Sequence, residues 1–258
     1  MTARLARTLS SLVAVLLTSA CANYYEIPIE TPIRPKLDVT AFQRVLVAGF
    51  ISGGTEDVDG NLETTRLLRS QLRTKSDLRV IDTDVLPLVE VATERSDAGA
   101  AGEGASSQPA AQPAPIKEEK DLENYERLFA NVEYWKKIGE EYQQPLIVTG
   151  TVMFTPHQRN SIVQREQEVY DSFGRRRVVP VRTYMERKGY ILRPKFVFID
   201  GRTGTVMHSE NFREEILYNA NQTTPALSSY FELMDRLIPS FLSTLSSQKI
   251  KGTRVLLQ

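Results

Sequence analysis

Pro145-Leu146-Ile147-Val148-Thr149-Gly150-Thr151-Val152-Met153-Phe154 reads as a β-strand rich in β-branched residues. Gly150 inside it marks a bulge or a close backbone approach. Upstream, Arg44 to Phe50 (RVLVAGF) is the opening strand, and its nearly continuous apolar run suits a strand covered on both faces. Ile51 to Gly60 carries Gly53, Gly54, Glu56, Asp57 and Asp59 and reads as a loop. Asn61 can cap a helix from Leu62 to Lys75, with Thr64, Thr65, Leu68 and Leu72 on one face and Arg66, Arg69 and Arg73 turned away. Leu78 to Ile81 is a short second strand, so the chain starts as a βαβ-like unit. Asp121 to Tyr142 is a second helix, its apolar stripe formed by Leu122, Tyr125, Phe129, Val132, Trp135, Ile138 and Tyr142. It leads directly into the strand at Pro145.

Downstream, two polar strands, Asn160 to Asp171 and Arg175 to Lys188, join through Ser172-Phe173-Gly174. Their charge directs them into water or against a partner. Too few alternate residues are apolar for a membrane strand. Tyr190 to Asp200 returns as an amphipathic strand with Leu192, Phe196 and Phe198 on one side. A tight turn at Asp200 to Gly204 leads to a partner strand, Thr205 to Phe212. Asn219 to Thr224 is a polar loop, and Thr224-Pro225 starts a last helix that Pro239 should kink or break. Val255 to Leu257 can add a short strand. The fold class is α/β (α+β): a mixed sheet with a βαβ start, an antiparallel meander with a long polar hairpin, and packed helices.

The amino-terminal end has a different logic. Arg4 and Arg7 precede the run Leu12 to Leu17, and small residues lead to Cys21. That is the layout of a secretory signal peptide over residues 1–20. The stretch Leu17-Thr18-Ser19-Ala20-Cys21 resembles the lipobox of bacterial lipoproteins, which implies a lipidated Cys21 as the first mature residue. An ordinary signal peptide cut near Ala20 or Ala22 is the open alternative. Residues 21–43, broken by Pro28, Pro32 and Pro35, read as a tether, and Tyr24, Tyr25, Ile27 and Ile29 within it can pack on the domain or lie at lipid headgroups. A single domain then runs over 44–258, with a disordered insertion at about 96–116 that lacks large apolar side chains.

The 258 residues balance 32 Lys and Arg against 32 Asp and Glu, so no basic excess points to nucleic acid. Cys21 is the only cysteine, and with it lipidated neither a disulfide nor a thiolate metal site is available. No stretch approaches the roughly 20 apolar residues of a spanning helix. Gly53-Gly54 is not a phosphate fingerprint, and its acidic neighbours would repel phosphate. Asp57, Asp59 and Asn61 start a calcium-loop pattern that fails at Leu62 and Leu68. His157 and His208 stand alone, without metal-ligand spacing. Glu214 and Glu215 read as a solvated charged turn, and Asp200 as a turn residue. No catalytic constellation, cofactor site or metal site is expected. The candidate interaction surface is Phe173 with Arg175, Arg176 and Arg177, an aromatic beside a guanidinium cluster. A plain solvated turn is the alternative there.

Two stretches together carry a resemblance. Pro145 to Val152 resembles a strand, and Phe198-Ile199-Asp200-Gly201-Arg202-Thr203-Gly204-Thr205-Val206 a hairpin, of the CsgG and TolB amino-terminal-domain group. The resemblance implies a compact α/β domain serving envelope transport or assembly, often as a lipoprotein and often in rings. The insertion departs from that pattern, and the hairpin is too polar for a pore hairpin. The expected function is that of a non-enzymatic lipoprotein, anchored through Cys21 on the periplasmic face of the outer membrane. Its partners would be envelope proteins, with homo-oligomers possible. Under the sorting rule that the resemblance brings, Ala22 after the cysteine does not signal inner-membrane retention. A ligand- or polysaccharide-binding accessory lipoprotein, with its cleft beside Gly53-Gly54, is the alternative.

Overall fold

A computed structural model describes residues 24–93, 116–219, 221–222 and 224–257. The leader, Cys21 and almost all of the expected insertion lie outside them. The described chain divides into a unit over 36–245 and a smaller one made of residues up to Pro35 and from Ser246 on.

The larger unit is a mixed α+β fold on a sheet ordered β3-β2-β4-β5-β6, with β7 also paired to β5. Strand β2 (Arg44–Gly54) runs parallel to β3 (Arg79–Val80) and to β4 (Leu146–Tyr170). Strand β4 pairs antiparallel with β5 (Arg176–Asp200), and β5 with β6 (Val206–Asn211) and β7 (Glu214–Asn219). A register shift between Val47 and Gly49 flips the alternation of β2. Phe50 therefore shares a face with Val45 and Val47, while Ile51 joins Leu46 and Ala48. At Gly150 the backbone has φ +146°, and a Cβ would meet Lys195 O at 1.8 Å, so this position requires glycine.

Both sheet faces are covered. On one, α1 (Gly60–Lys75) and α5 (Ala226–Leu245) bury Leu68, Leu72, Tyr230 and Phe241 against Val148, Leu192, Phe196 and Phe198. On the other, α2 (Glu119–Glu123), α3 (Glu126–Phe129) and α4 (Val132–Glu141) bury Leu122, Phe129, Trp135 and Ile138 against Ile147, Val197 and Ile199.

Several local expectations change. Asp59, not Asn61, caps α1 by accepting from Leu62 N, and Asn61 instead accepts from Phe50 N. Arg69 does not face water: it donates to Val47 O and Thr83 O, tying α1 to the sheet. The helix expected over 121–142 is three short ones, because Asn131 starts a new helix by accepting from Tyr134 N. The breaks let Leu128, Phe129 and Trp135 all reach the core, with the indole donating to Leu128 O, and leave Val132 exposed. Helix α5 continues through Pro239, whose interior cost of about 3 kcal/mol is outweighed by burial of Leu237, Ile238, Phe241 and Leu242 around it. Gly53 and Gly54 are not loop but strand, paired with Met153 and Phe154. Ile116, at the edge of the expected insertion, packs on them: its carbonyl accepts from Gly54 N.

The smaller unit is a two-stranded antiparallel sheet of β1 (Tyr24–Ile33) and β8 (Gln248–Leu257). The segment expected as a tether is thus strand over Tyr24–Ile33. Pro28 and Pro32 fit because each strand of a pair keeps one edge free of ladder bonds.

Candidate functional site

The polar hairpin is longer than its sequence suggests. Its strands are not separate from their neighbours but continue straight out of the sheet as β4 and β5, paired from Leu146↔Asp200 to Tyr170↔Arg176. Strand β2 ends opposite Phe154, and β7 covers only Arg187–Leu192 of β5. From Asn160↔Glu186 to Tyr170↔Arg176 the two strands have only each other. At about 3.3 Å per residue this ribbon extends on the order of 35 Å.

Its side chains are unlike an inert surface. Ile162, Tyr170 and Tyr184 are 71, 66 and 64% exposed, and Phe173 at the tip is 80% exposed. The unpaired ribbon, Asn160 to Glu186, holds five arginines against four Asp and Glu, and the longer stretch from Pro156 to Tyr190 eight Arg and Lys against four, in a chain balanced overall. The sequence pointed to Phe173 and Arg175–Arg177; the structure places Arg175 against Phe173 at the tip and turns Arg176 and Arg177 toward separate carboxylates. The Arg175 guanidinium lies 5.4 Å from the Phe173 ring centroid, a cation–π distance. Arg176 pairs with Glu168 at 2.6 Å, and Arg177 approaches Asp171 at 3.8 Å. The expectation missed Ile162, Tyr170 and Tyr184, which alternation along an exposed ribbon would have exposed.

Asp171 fixes the tip. Its carboxylate accepts from the backbone N–H of Phe173 and Arg175 and from Arg175 Nε, all at 2.9–3.0 Å. Led by the Arg175 backbone bond and opposed by desolvation, these contacts hold its carboxyl below the ordinary value. A depressed folded value means that the tip gains order above the unfolded Asp value of about 3.9 and loses it as pH falls through the folded value. The Phe173 and Arg175 amide resonances are therefore expected to stay put from neutral pH down to about 4 and to shift toward coil positions below it. Resonances that already shift above about pH 4, or that Asp171→Ala leaves unmoved at neutral pH, would contradict this role for Asp171.

Two clefts flank the sheet. One of about 490 Å³ is lined by Glu119, Glu126, Arg193, Lys195 and Arg213. Its charges are largely matched within it, Arg193 with Glu119 and Lys195 with Glu126. The other, about 520 Å³, sits at the ribbon base between Gln158, Lys188, Tyr190, Tyr218 and Gln222. The cleft expected beside Gly53-Gly54 is instead filled: a Cβ on Gly53 would meet the Ile116 side chain at 2.5 Å. Glu214 and Glu215 are not a turn but open β7, with Glu215 near Arg159 and Arg213. Asp200 accepts from Arg202 N and pairs with its guanidinium at 2.9 Å, as a turn residue. Among the described residues no group of three or more His, Cys, Asp or Glu is placed to hold a metal ion.

No protein-family model matches the chain, and no curated protein matches it. Among solved structures it is similar to lipoprotein GNA1162 from Neisseria meningitidis, at 12% identity and TM-score 0.34, over 77% of this chain and 97% of that one. A PelC dodecamer from Paraburkholderia phytofirmans aligns at 14% identity and TM-score 0.36, over 87% and 100%. A neuraminyllactose-binding hemagglutinin homolog from Helicobacter pylori aligns at 10% and 0.35, over 83% and 88%. Likenesses at this level establish no shared function.

Proposed function

We propose that this chain is a lipid-anchored envelope protein, held by Cys21 at the periplasmic face of the outer membrane, that acts by binding other envelope proteins and catalyses no reaction. The observation that carries it is the ribbon, whose exposed Tyr170, Phe173 and Tyr184 lie among arginines. Aromatic and arginine side chains dominate binding hot spots, and a two-stranded ribbon has little stability of its own to gain from displaying them. The anchor rests on Arg4, Arg7, the apolar run and Cys21.

The test is capture of partners from solubilised envelopes by the wild type and by Phe173→Ala/Arg176→Glu. Losing two hot-spot contacts of about 2 kcal/mol each is expected to reduce specific capture by well over tenfold. Both side chains are exposed, so the unfolding midpoint should not move. Unchanged capture would sink the ribbon as the contact. A second reading, binding of a small ligand or polysaccharide, is favoured by the cleft at the ribbon base, where Tyr190 and Tyr218 stand beside two glutamines. A retained small molecule in native mass spectra would support it.

A further inference from the structure

The β1–β8 sheet has two unlike faces, because successive side chains alternate. One carries Glu26, Glu30, Lys249 and Lys251, with both lysines beside Glu30 at 3.3 and 3.8 Å. The other carries Ile27, Ile29 and Ile33, which are 44, 40 and 46% exposed. A two-stranded sheet has no core of its own. Three isoleucines along one side form a patch rather than scattered surface residues.

The patch lies next to the anchor. Only two residues separate Cys21 from the start of β1 at Tyr24. An extended chain covers at most about 3.6 Å per residue, so Cys21 stays within about 11 Å of Tyr24. Arg254 is opposite Ile27 in the register and so shares the isoleucine side. Arginine stems lie along apolar surface while the guanidinium reaches phosphates. Among the residues of β1 and β8 on that side Arg254 is the only charged one, and its positive charge suits anionic headgroups.

We propose that the isoleucine face of the β1–β8 sheet lies on the lipid surface that holds Cys21. The carboxy-terminal strand then pins the anchored segment flat, and the anchor is a strap rather than a loose tether. This rests on the lipidation of Cys21.

Acylation consumes the only native thiol, so one new cysteine can be labelled selectively in the lipidated full chain. Ile29→Cys and Glu30→Cys would carry an environment-sensitive fluorophore, in vesicles of phosphatidylethanolamine and phosphatidylglycerol containing a shallow lipid-borne quencher. Thr31→Cys, on the same side as Ile29, repeats the measurement with all three isoleucines kept. Strong quenching at 29 and 31 with weak quenching at 30 is the expected result. Weak quenching at all three positions, with Cys21 shown by intact mass to be acylated, overturns the strap and leaves the anchor standing. Blue-shifted but unquenched emission at 29 and 31 also overturns it, and assigns the face to a second copy or another protein. An unmodified Cys21 overturns the anchor and the strap together.

Discussion

Cys21→Ser is expected to move the protein from sedimented membranes to the soluble fraction. One acyl chain binds a bilayer only marginally, whereas several on one residue anchor stably, and the substitution removes them all. Among the described residues no helix is long and apolar enough to cross a membrane. The isoleucine face of the β1–β8 sheet is too small to compensate. Fully burying an isoleucine contributes about 1.5–3 kcal/mol, and these three have less than half their surface left to bury. Fractionation after a carbonate wash reads the outcome. A serine variant that stays with the membrane would place the anchor elsewhere.

Phe196→Ala is expected to lower the unfolding free energy by about 3–5 kcal/mol. The ring is fully buried at the centre of the α1–α5 side of the sheet. It meets Phe50, Phe212 and Phe241 at centroid distances of 5.8, 5.5 and 4.9 Å, so truncation leaves a cavity with aromatic walls on several sides. Domains of this kind are stable by only about 5–15 kcal/mol, so the loss is a large share of the total. Trp135, the only tryptophan, lies buried on the opposite side of the sheet and reports unfolding in urea from a site the mutation does not touch. A loss below about 1 kcal/mol would mean that this side packs far more loosely than its burial indicates.

The central strands were legible from the apolar run Val45–Ala48 in β2, from Leu146–Val148 and Val152–Phe154 in β4, and from Phe196–Ile199 at the end of β5. The pairing of Phe198 with Leu192 and Phe196 on one side follows from alternation and is what the structure shows. Local signals also placed α1, α5 and the Asp200 turn. What escaped depended on competition or on distance. Asp59 and Asn61 are both good caps, and only the proximity of Phe50 N decides between them. Strand β7 begins with two glutamates and draws its identity from the edge of β5 that it covers. The pairing of β1 with β8 joins opposite ends of the chain, and nothing local in either segment announces it. At the tip, Phe173 and the arginines were readable from the turn, while the reach of the ribbon was not. Pro156 and Pro180 suggest breaks, yet both sit at positions where the strand edge is unpaired on one side.

The most direct measurement places a photo-crosslinking amino acid at Phe173 in cells and, as a control, at Arg66 on the exposed side of α1. If the ribbon tip is the binding element, position 173 yields discrete protein adducts that Asp171→Ala weakens, and position 66 yields none. Equal adducts at both positions, or none at 173 in a protein still anchored and folded, would contradict a protein-binding ribbon.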